Sequence, residues 1–593
     1  MPGSLYPLAT VLDARRRGQT PDCIGVNHRA LRNARVQMQM HHRARKRLVV
    51  LGMLFFAAFA TVGFRMGVLA SAAVSEPEST GNIPRIANQR ADIVDRNGEV
   101  LATNLATTAL YARPPLMVDR AAVAKGLAGI FPDLDEKALL ADFTGKRKFL
   151  WIKKKLSPEQ QQLVHDLGQP GLQFGPREMR LYPNGSLAAH ILGGASFGKE
   201  GVNAAEVIGV AGIERFLDKT LRDPAREGVP VRLSIDLSAQ AAMRDVLAGG
   251  MVVMNAKGAA AVLMDAHTGE ILAMESLPDF DPNNRPRVLP GMKQADSPLF
   301  NRASQGVYEL GSTFKIFTAA LSLEQGGMTP ATMIDTGGPL KWGKFEIRDS
   351  RSYGAQMSLT DVIVHSSNIG SARLALAAGV PAQQRFLKSL GFFDAVPVEL
   401  GAARTTKPLL PKHWSELSGM TISYGHGIAA TPLHLAAGYA SVLNGGHRVV
   451  PTLIAQDTLP ARRPRIVTEK TSIRLRKMLR AVVTRGTARL GDVRGYEVGG
   501  KTGSADKPKP GGGYYEDRVI ATFASVFPSD DPKYVMVVTL DEPWLIAQGK
   551  IRRTAGWTAV PVSAELVTRL MPILGLQPGI ASDSPVHYTG GQN

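Results

Sequence analysis

A chain of 593 residues is too long for one ordinary core, so two or three domains are expected. Hydrophobic content of 44% with 20% charged residues excludes wholesale disorder, and a single cysteine, Cys23, excludes an intrachain disulfide. The net charge of +19 is unevenly placed: up to Arg47 there are ten Lys/Arg against only Asp13 and Asp22. This basic head has almost no interleaved aromatics and stops at an apolar run, which favours a membrane-topology signal over a nucleic-acid partner. No Cys/His cluster has zinc-ligand spacing, so neither a metal nor a cofactor is expected.

The apolar run, LVVLGMLFFAAFATVGF from Leu48 to Phe64, continues beyond Arg65. About 20 residues cross a bilayer core, so a transmembrane helix over 48–70 is predicted, with Arg65 snorkelling at the far interface. Residues 1–47 then form a cytoplasmic tail, and the remainder is exported. A cleaved signal peptide is the rival reading, because Ala70-Ser71-Ala72 looks like a cleavage site. Its basic region is far longer than usual, and its core exceeds the typical stretch of about 7 to 15 residues.

Residues 75–229 read as a mixed pedestal domain. Within it Arg90 to Ala102 alternates into Asn97-Gly98 and out again, the signature of a hairpin, with Asp95 and Arg96 expected as a surface ion pair beside the turn. Helices are predicted around Arg120–Ala128 and Ser157–Leu167. Gly209–Leu221 reads as one amphipathic helix before Pro224 and Gly228 break the chain.

From residue 230 to 575 the texture is that of one large mixed α/β unit. A strand over Val231–Leu237 and a helix over Ser238–Leu247 precede two apolar runs, Ala259–Met264 and Ile271–Met274, joined as a hairpin. A second hairpin joins Ala521–Phe527 to Tyr534–Leu540. Strands at both ends with helices between them predict an α+β domain, an antiparallel sheet covered by a helical cluster. The Gly/Ser/Pro-rich residues 576–593 read as a disordered tail.

Three Ser-x-x-Lys matches occur, at Ser196–Lys199, Ser312–Lys315 and Ser504–Lys507. A serine three residues before a lysine on a helix sets hydroxyl and ammonium on one face, one turn apart. Ser196 lies in Gly-rich sequence and Ser504 runs towards Pro508 and Pro510, so loops are expected at both. Ser312 alone follows a glycine and opens an apolar helical stretch. Two further elements accompany it: Ser366-Ser367-Asn368 after a helix-like run, and Lys501-Thr502-Gly503-Ser504 along a strand edge. Each singly reads as a cap or turn; the ordered trio is far more specific.

With these three motifs, the Arg90 hairpin, and Ser423-Tyr424-Gly425-His426-Gly427, the chain resembles a class B penicillin-binding protein, most closely the division-specific FtsI type, from the membrane segment to Pro572. The resemblance implies a D,D-transpeptidase that cross-links peptidoglycan stem peptides at the division septum and is acylated by β-lactams. It implies Ser312 as nucleophile, Lys315 as its base, Ser366 as proton relay and Asn368 as an amide holding the substrate backbone and Lys315. Lys501 and Thr502 would bind the terminal carboxylate, Gly503 would let the substrate lie against the strand, and the backbone N–H groups of Ser312 and Ser504 would form the oxyanion hole. Ser504 departs from the commoner Thr. A SEDS-type glycan polymerase (FtsW-like) and other division proteins are the implied partners. His426 reads as structural, and Arg485-Gly486-Thr487-Ala488 as a loop shaping the cleft. An elongation-type transpeptidase, a D,D-carboxypeptidase or β-lactamase-like hydrolase, and a non-catalytic β-lactam sensor or division scaffold are the alternatives; the hydrolase differs in that water, not an amine, takes the acyl group, and the sensor in that acylation yields no cross-linked product.

Overall fold

The computed structural model describes residues 12–13, 15–18, 51–66 and 90–579, apart from 201–204, 227, 289, 402–405, 459–462 and 510. Most of the basic head, part of the expected membrane segment and nearly all of the expected disordered tail lie outside them. Residues 51–66 are helical and exposed throughout; among the described residues no helix is long and apolar enough to cross a membrane. The chain divides into two compact units, the smaller taking in Met1–Asn82, Tyr111–Ile152 and Gln162–Gln173.

The expected hairpin is present, β1 (Ile93–Val94) pairing antiparallel with β2 (Val100–Ala112) around Asn97-Gly98. Gly98 has φ +93, a left-handed conformation that costs glycine nothing. Asp95, however, is fully buried and forms no surface pair. Its carboxylate accepts from the backbone N–H groups of Asn97, Glu99 and Leu237, at 2.7, 2.9 and 3.0 Å. Three directed donors explain why a carboxylate is buried here.

The smaller unit holds α1 (Arg120–Ile130) and α2 (Glu136–Thr144), capped by the side chains of Asp119 and Asp135. Both bury an apolar stripe, Val123, Ala124 and Leu127 on one and Leu139 and Phe143 on the other. Tyr111, Phe149 and Trp151 form a ring cluster in the same unit, with centroids 5.0–5.6 Å apart.

In the larger unit, Ser196 and Lys199 lie on β3 (Gly194–Glu200), a strand where a loop was expected; it pairs with β4 (Ala205–Ala211). The helix that would set a hydroxyl and an ammonium on one face, one turn apart, is therefore missing from this Ser-x-x-Lys match. The single helix expected over Gly209–Leu221 is also broken. Its first residues finish β4, and two short helices follow, α3 (Gly212–Phe216) and α4 (Asp218–Leu221). Gly212 at φ +60 cannot continue a right-handed helix, and Glu214 is drawn inward by Arg90 and Arg180, at 2.6 Å each. The expected strand from Val231 shrinks to β5 (Val231–Arg232), parallel to β1, and the following helix, α5 (Leu237–Val253), runs longer than expected.

The core is a five-stranded antiparallel sheet. It comprises β6 (Gly258–Asp265), β7 (Ile271–Leu277), β8 (Gly499–Pro508), β9 (Tyr514–Phe527) and β10 (Tyr534–Asp541), in the order β8-β9-β10-β6-β7. Both expected hairpins are in it. Every residue of β7 is buried, so helices cover both faces. Leu237–Val253 packs closely on the helix Ala559–Ile573; a side chain added at Gly250 would meet Val562 at 2.8 Å. The mixed α/β expectation, an antiparallel sheet with a helical cluster, holds. The chain segments between β7 and β8 carry the remaining helices, and β8 is left as an edge strand beside them.

Candidate active site

Ser312 stands in a 3-10 turn, Gly311–Phe314, that leads into the buried helix Lys315–Glu324. Its side chain makes no helix cap, which removes the bland reading of Ser312 as an N-cap. The turn is pressed against β8. A Cβ at Gly503 would stand 2.1 Å from the Leu310 carbonyl oxygen, and one at Gly311 within 3.1–3.3 Å of the Ser504 backbone. The missing side chain at 503 therefore serves the seating of the nucleophile turn on the strand, where the sequence suggested a reason in the substrate. Behind the turn, the buried Tyr439 donates its hydroxyl to the Thr313 carbonyl at 2.8 Å, and Gly425 touches the Gly311 carbonyl.

Lys315 is fully buried. Its Nζ lies in reach of three acceptors: the Ser366 carbonyl, Ser366 Oγ at 3.0 Å and Asn368 Oδ1 at 2.7 Å. Burial pushes its ammonium well below the ordinary lysine value, the charge of Lys501 pushes the same way, and Asp349 opposes both. Lys501 is also fully buried and is pushed down to about 7 by burial. It donates to Ser366 Oγ at 3.0 Å and to the Thr502 carbonyl at 3.1 Å. One hydroxyl thus sits between two buried amines. Ser366 holds φ +64, an unusual conformation for a residue with a side chain, which turns both its oxygens towards Lys315.

These residues meet at one cleft of about 570 Å³. Ser312, Ser366, Asn368, Thr502 and Ser504 form part of its wall, whereas Lys315, Lys501 and Gly503 lie behind it. Thr502 Oγ1 bonds Thr487 Oγ1 at 2.7 Å, so the loop expected to shape the cleft does contribute to it. Ser504 Oγ accepts from the Ala555 N–H at 2.9 Å and ties the strand to the Thr554–Trp557 turn, which also lines the cleft. Ser504 lies on β8, which runs on through Lys507 where a loop was expected, and Lys507, its partner in the third Ser-x-x-Lys match, is paired with Asp541 and Glu542.

One residue of the constellation carried no sequence signal. Asp349 accepts from Ser367 Oγ at 2.6 Å and from the N–H groups of Asn368 and Ile369 at 2.5 and 3.1 Å. It caps the helix Asn368–Ala378 and so holds the Ser366–Asn368 turn in place. It lies far upstream of that turn, in a loop, and only the fold brings the two together.

A family model described as the penicillin-binding protein transpeptidase domain matches residues 259–559, and one described as the penicillin-binding protein dimerisation domain matches 85–228. The chain belongs to the penicillin-binding protein transpeptidase family. Its dimerisation and transpeptidase domains, in that order, are the class B, FtsI-type architecture. Among its relatives, the probable peptidoglycan D,D-transpeptidase FtsI of Caulobacter vibrioides is 36% identical over 90% of this chain and 89% of that one. The peptidoglycan D,D-transpeptidase FtsI of Escherichia coli K12 is 27% identical over 84% and 85%. The crystal structure of penicillin-binding protein 3 from Mycobacterium tuberculosis, complexed with aztreonam, aligns with a TM-score of 0.62 at 26% identity, covering 83% of this chain and 98% of that one.

Proposed function

We propose that this division-associated serine D,D-transpeptidase cross-links peptidoglycan stem peptides through an acyl-enzyme on Ser312. The observation that carries the reading is the Ser366 hydroxyl held between the two buried amines of Lys315 and Lys501, in the cleft that Ser312 lines. A neutral Lys315 would donate its two N–H groups to the Ser366 carbonyl and Asn368 Oδ1 and keep a lone pair for a proton. Burial beside Lys501 favours that neutral form.

In the first step Ser312 Oγ attacks the carbonyl of the terminal D-Ala-D-Ala bond and its proton passes to Lys315. Backbone N–H groups of Ser312 and Ser504 would receive the developing oxyanion; one such donor is worth about 3–4 kcal/mol. The C–N bond then breaks, and the departing D-alanine takes a proton through Ser366. Thr502 would hold the substrate's terminal carboxylate at the wall, with Lys501 supplying charge from behind it. In the second step a neighbouring stem-peptide amine attacks the ester, a new C–N bond forms, and Ser312 Oγ leaves with a proton. β-Lactams would acylate the same oxygen.

The domain partition we propose is a cytoplasmic tail over 1–47, a membrane helix over 48–70, a pedestal over 75–229, the transpeptidase domain over 230–575 and a tail over 576–593. The exposed apolar helix at 51–66, with Phe56 and Phe64 about three-quarters exposed, supports a single-pass anchor. On this reading the catalytic domain is periplasmic, and a SEDS-type glycan polymerase is its membrane partner. A reporter fused after residue 80 should then be periplasmic and resist extraction by high salt. The nucleophile is tested by labelling with a fluorescent penicillin: wild type should be labelled covalently and Ser312→Ala should not. Labelling that survives in the alanine variant overturns the assignment.

A further inference from the structure

The hairpin that follows the core sheet has two faces of opposite character. Its strands, β11 (Leu545–Ala547) and β12 (Lys550–Arg552), pair antiparallel and join no other strand among the described residues. Gln548 and Gly549 link them at φ +52 and +69, the positive pair that a tight two-residue turn requires. Facing residues are Leu545 and Arg552, Ile546 and Ile551, and Ala547 and Lys550. Side chains alternate along a strand, so Ile546 and Ile551 share one face and the other two pairs share the opposite one.

The inner face is occupied. Leu545 packs on the hydrophobic core, and the Arg552 guanidinium lies 4.9 Å from the ring of Trp557, a residue of the cleft wall. The outer face is bare: Ile546 is 68% and Ile551 53% exposed, and Trp544, two residues before Ile546, is exposed as well. The Trp544 N–H donates to the Met254 carbonyl at 2.8 Å, which fixes the base of the hairpin at the end of α5, where Val252 and Val253 are also exposed. Exposed apolar side chains gathered around an open strand edge mark a protein contact.

The charges say which kind. Lys550 and Arg552 flank Ile551, and among the described residues neither has an acidic partner; Arg552 bonds only the Gln548 side chain and stacks on Trp557. In a hairpin closed by two residues the pair next to the turn exchanges the ladder bonds, so the N–H and C=O of Ile551 point away from β11. A third strand laid along β12 takes both of them. It meets Ile551 with one side chain, and Lys550 and Arg552 with the two beside it on the opposite face, which calls for an apolar residue between two acidic ones. A second copy paired about Ile551 would set Lys550 against Arg552, cation against cation, and a lipid surface would leave the open backbone groups unpaired.

We infer that β12 is a docking edge for an extended segment of a partner protein in which acidic and apolar residues alternate, added to the hairpin as a third strand. Docking here makes no use of Ser312. It places the partner one side chain from the cleft wall, through Arg552 on Trp557.

The test uses the full-length protein in phosphatidylcholine nanodiscs and labelled heptapeptides that alternate Glu with Val or Lys with Val, read by fluorescence anisotropy. Two further versions of the Glu/Val peptide are N-methylated, one at its valines and one at its glutamates. Wild type should bind the Glu/Val peptide about tenfold or more tighter than the Lys/Val peptide, a gap that shrinks as salt is raised. N-methylation of the valines, whose backbone groups would face Ile551, should weaken binding about tenfold, and N-methylation of the glutamates should not. Ile546→Ser/Ile551→Ser should lose about tenfold, and Lys550→Glu should bring the Glu/Val to Lys/Val ratio to near one. Circular dichroism and labelling by fluorescent penicillin verify that each variant is folded. Equal binding of the Glu/Val and Lys/Val peptides, wild-type binding by the serine variant, or binding that survives N-methylation of the valines overturns the docking edge. So does a dimer that the serine variant dissolves in sedimentation velocity, which assigns the face to a second copy. Protection of 545–552 from hydrogen exchange that grows with phosphatidylglycerol in the disc assigns it to the membrane and equally overturns the docking edge.

Discussion

Asp349 offers the sharpest perturbation, because it does not line the cleft and yet holds the turn that carries Ser366 and Asn368. Its carboxylate accepts one hydroxyl and two backbone N–H groups, at 2.6, 2.5 and 3.1 Å. Hydrogen bonds to a charged group are worth about 1.5–3 kcal/mol each, and they share one acceptor pair here, so Asp349→Ala should cost about 2–4 kcal/mol. If half of that loss reaches the acylation transition state through a displaced Ser366, the rate of penicillin acylation falls by about 5- to 30-fold. Asp349→Asn keeps an acceptor oxygen and should lose about 1 kcal/mol. It also removes the negative charge that holds the Lys315 ammonium up, so neutral Lys315 should appear at lower pH and the acidic limb of the acylation profile should move down. Stopped-flow acylation against pH, with thermal unfolding alongside, reads both effects. Wild-type acylation by Asp349→Ala, or an acidic limb that stays in place in Asp349→Asn, would refute the positioning role.

Gly503→Ala should displace the nucleophile turn, because its Cβ would meet the Leu310 carbonyl at 2.1 Å; acylation should fall more than tenfold, as an overpacked site typically costs about 1–3 kcal/mol. Gly511→Ala, with nothing within 4 Å of its Cβ, should acylate normally and is the control. Asp95→Ala strands three backbone donors and should lower unfolding stability by about 2–4 kcal/mol in denaturant titrations. For Lys501, the folded value near 7 lies below that of an unfolded lysine, so between the two the unfolded state binds more protons and stability rises with pH. Lys501→Met should therefore exceed wild type in stability at pH 6, by on the order of 4 kcal/mol, with the gap closing towards pH 10. A gap independent of pH contradicts the burial of a titrating amine.

The gathering of the three motifs at one cleft was legible in the sequence where it depended on local spacing. Ser312 and Lys315 lie one turn apart, and the order of the three motifs chose among the Ser-x-x-Lys matches. The errors arose where tertiary partners overruled local pattern. Ser196 and the stretch from Ser504 to Lys507 lie in Gly- and Pro-rich sequence that reads as loop, but ladder pairing makes both segments strands. Gly209–Leu221 has helical periodicity, yet Gly212 and the pull of Arg90 and Arg180 on Glu214 break it. Asp95 sits at a turn and reads as surface, but the start of the helix Leu237–Val253 closes over it. Asp349 could not be read at all, since its value lies in three donors that the fold brings from a distant segment. The burial of Lys501 behind Thr502 likewise follows from packing.

The central claim is an acyl-enzyme on Ser312 that an amine resolves. Intact-mass measurement of the full-length protein, incubated with a stem-peptide donor and followed by peptide mapping, tests it directly. The account predicts an adduct equal to the donor minus D-alanine, mapped to Ser312, absent in Ser312→Ala, and discharged faster by an amine acceptor than by water. An adduct on another serine, or one that survives in Ser312→Ala, would contradict it.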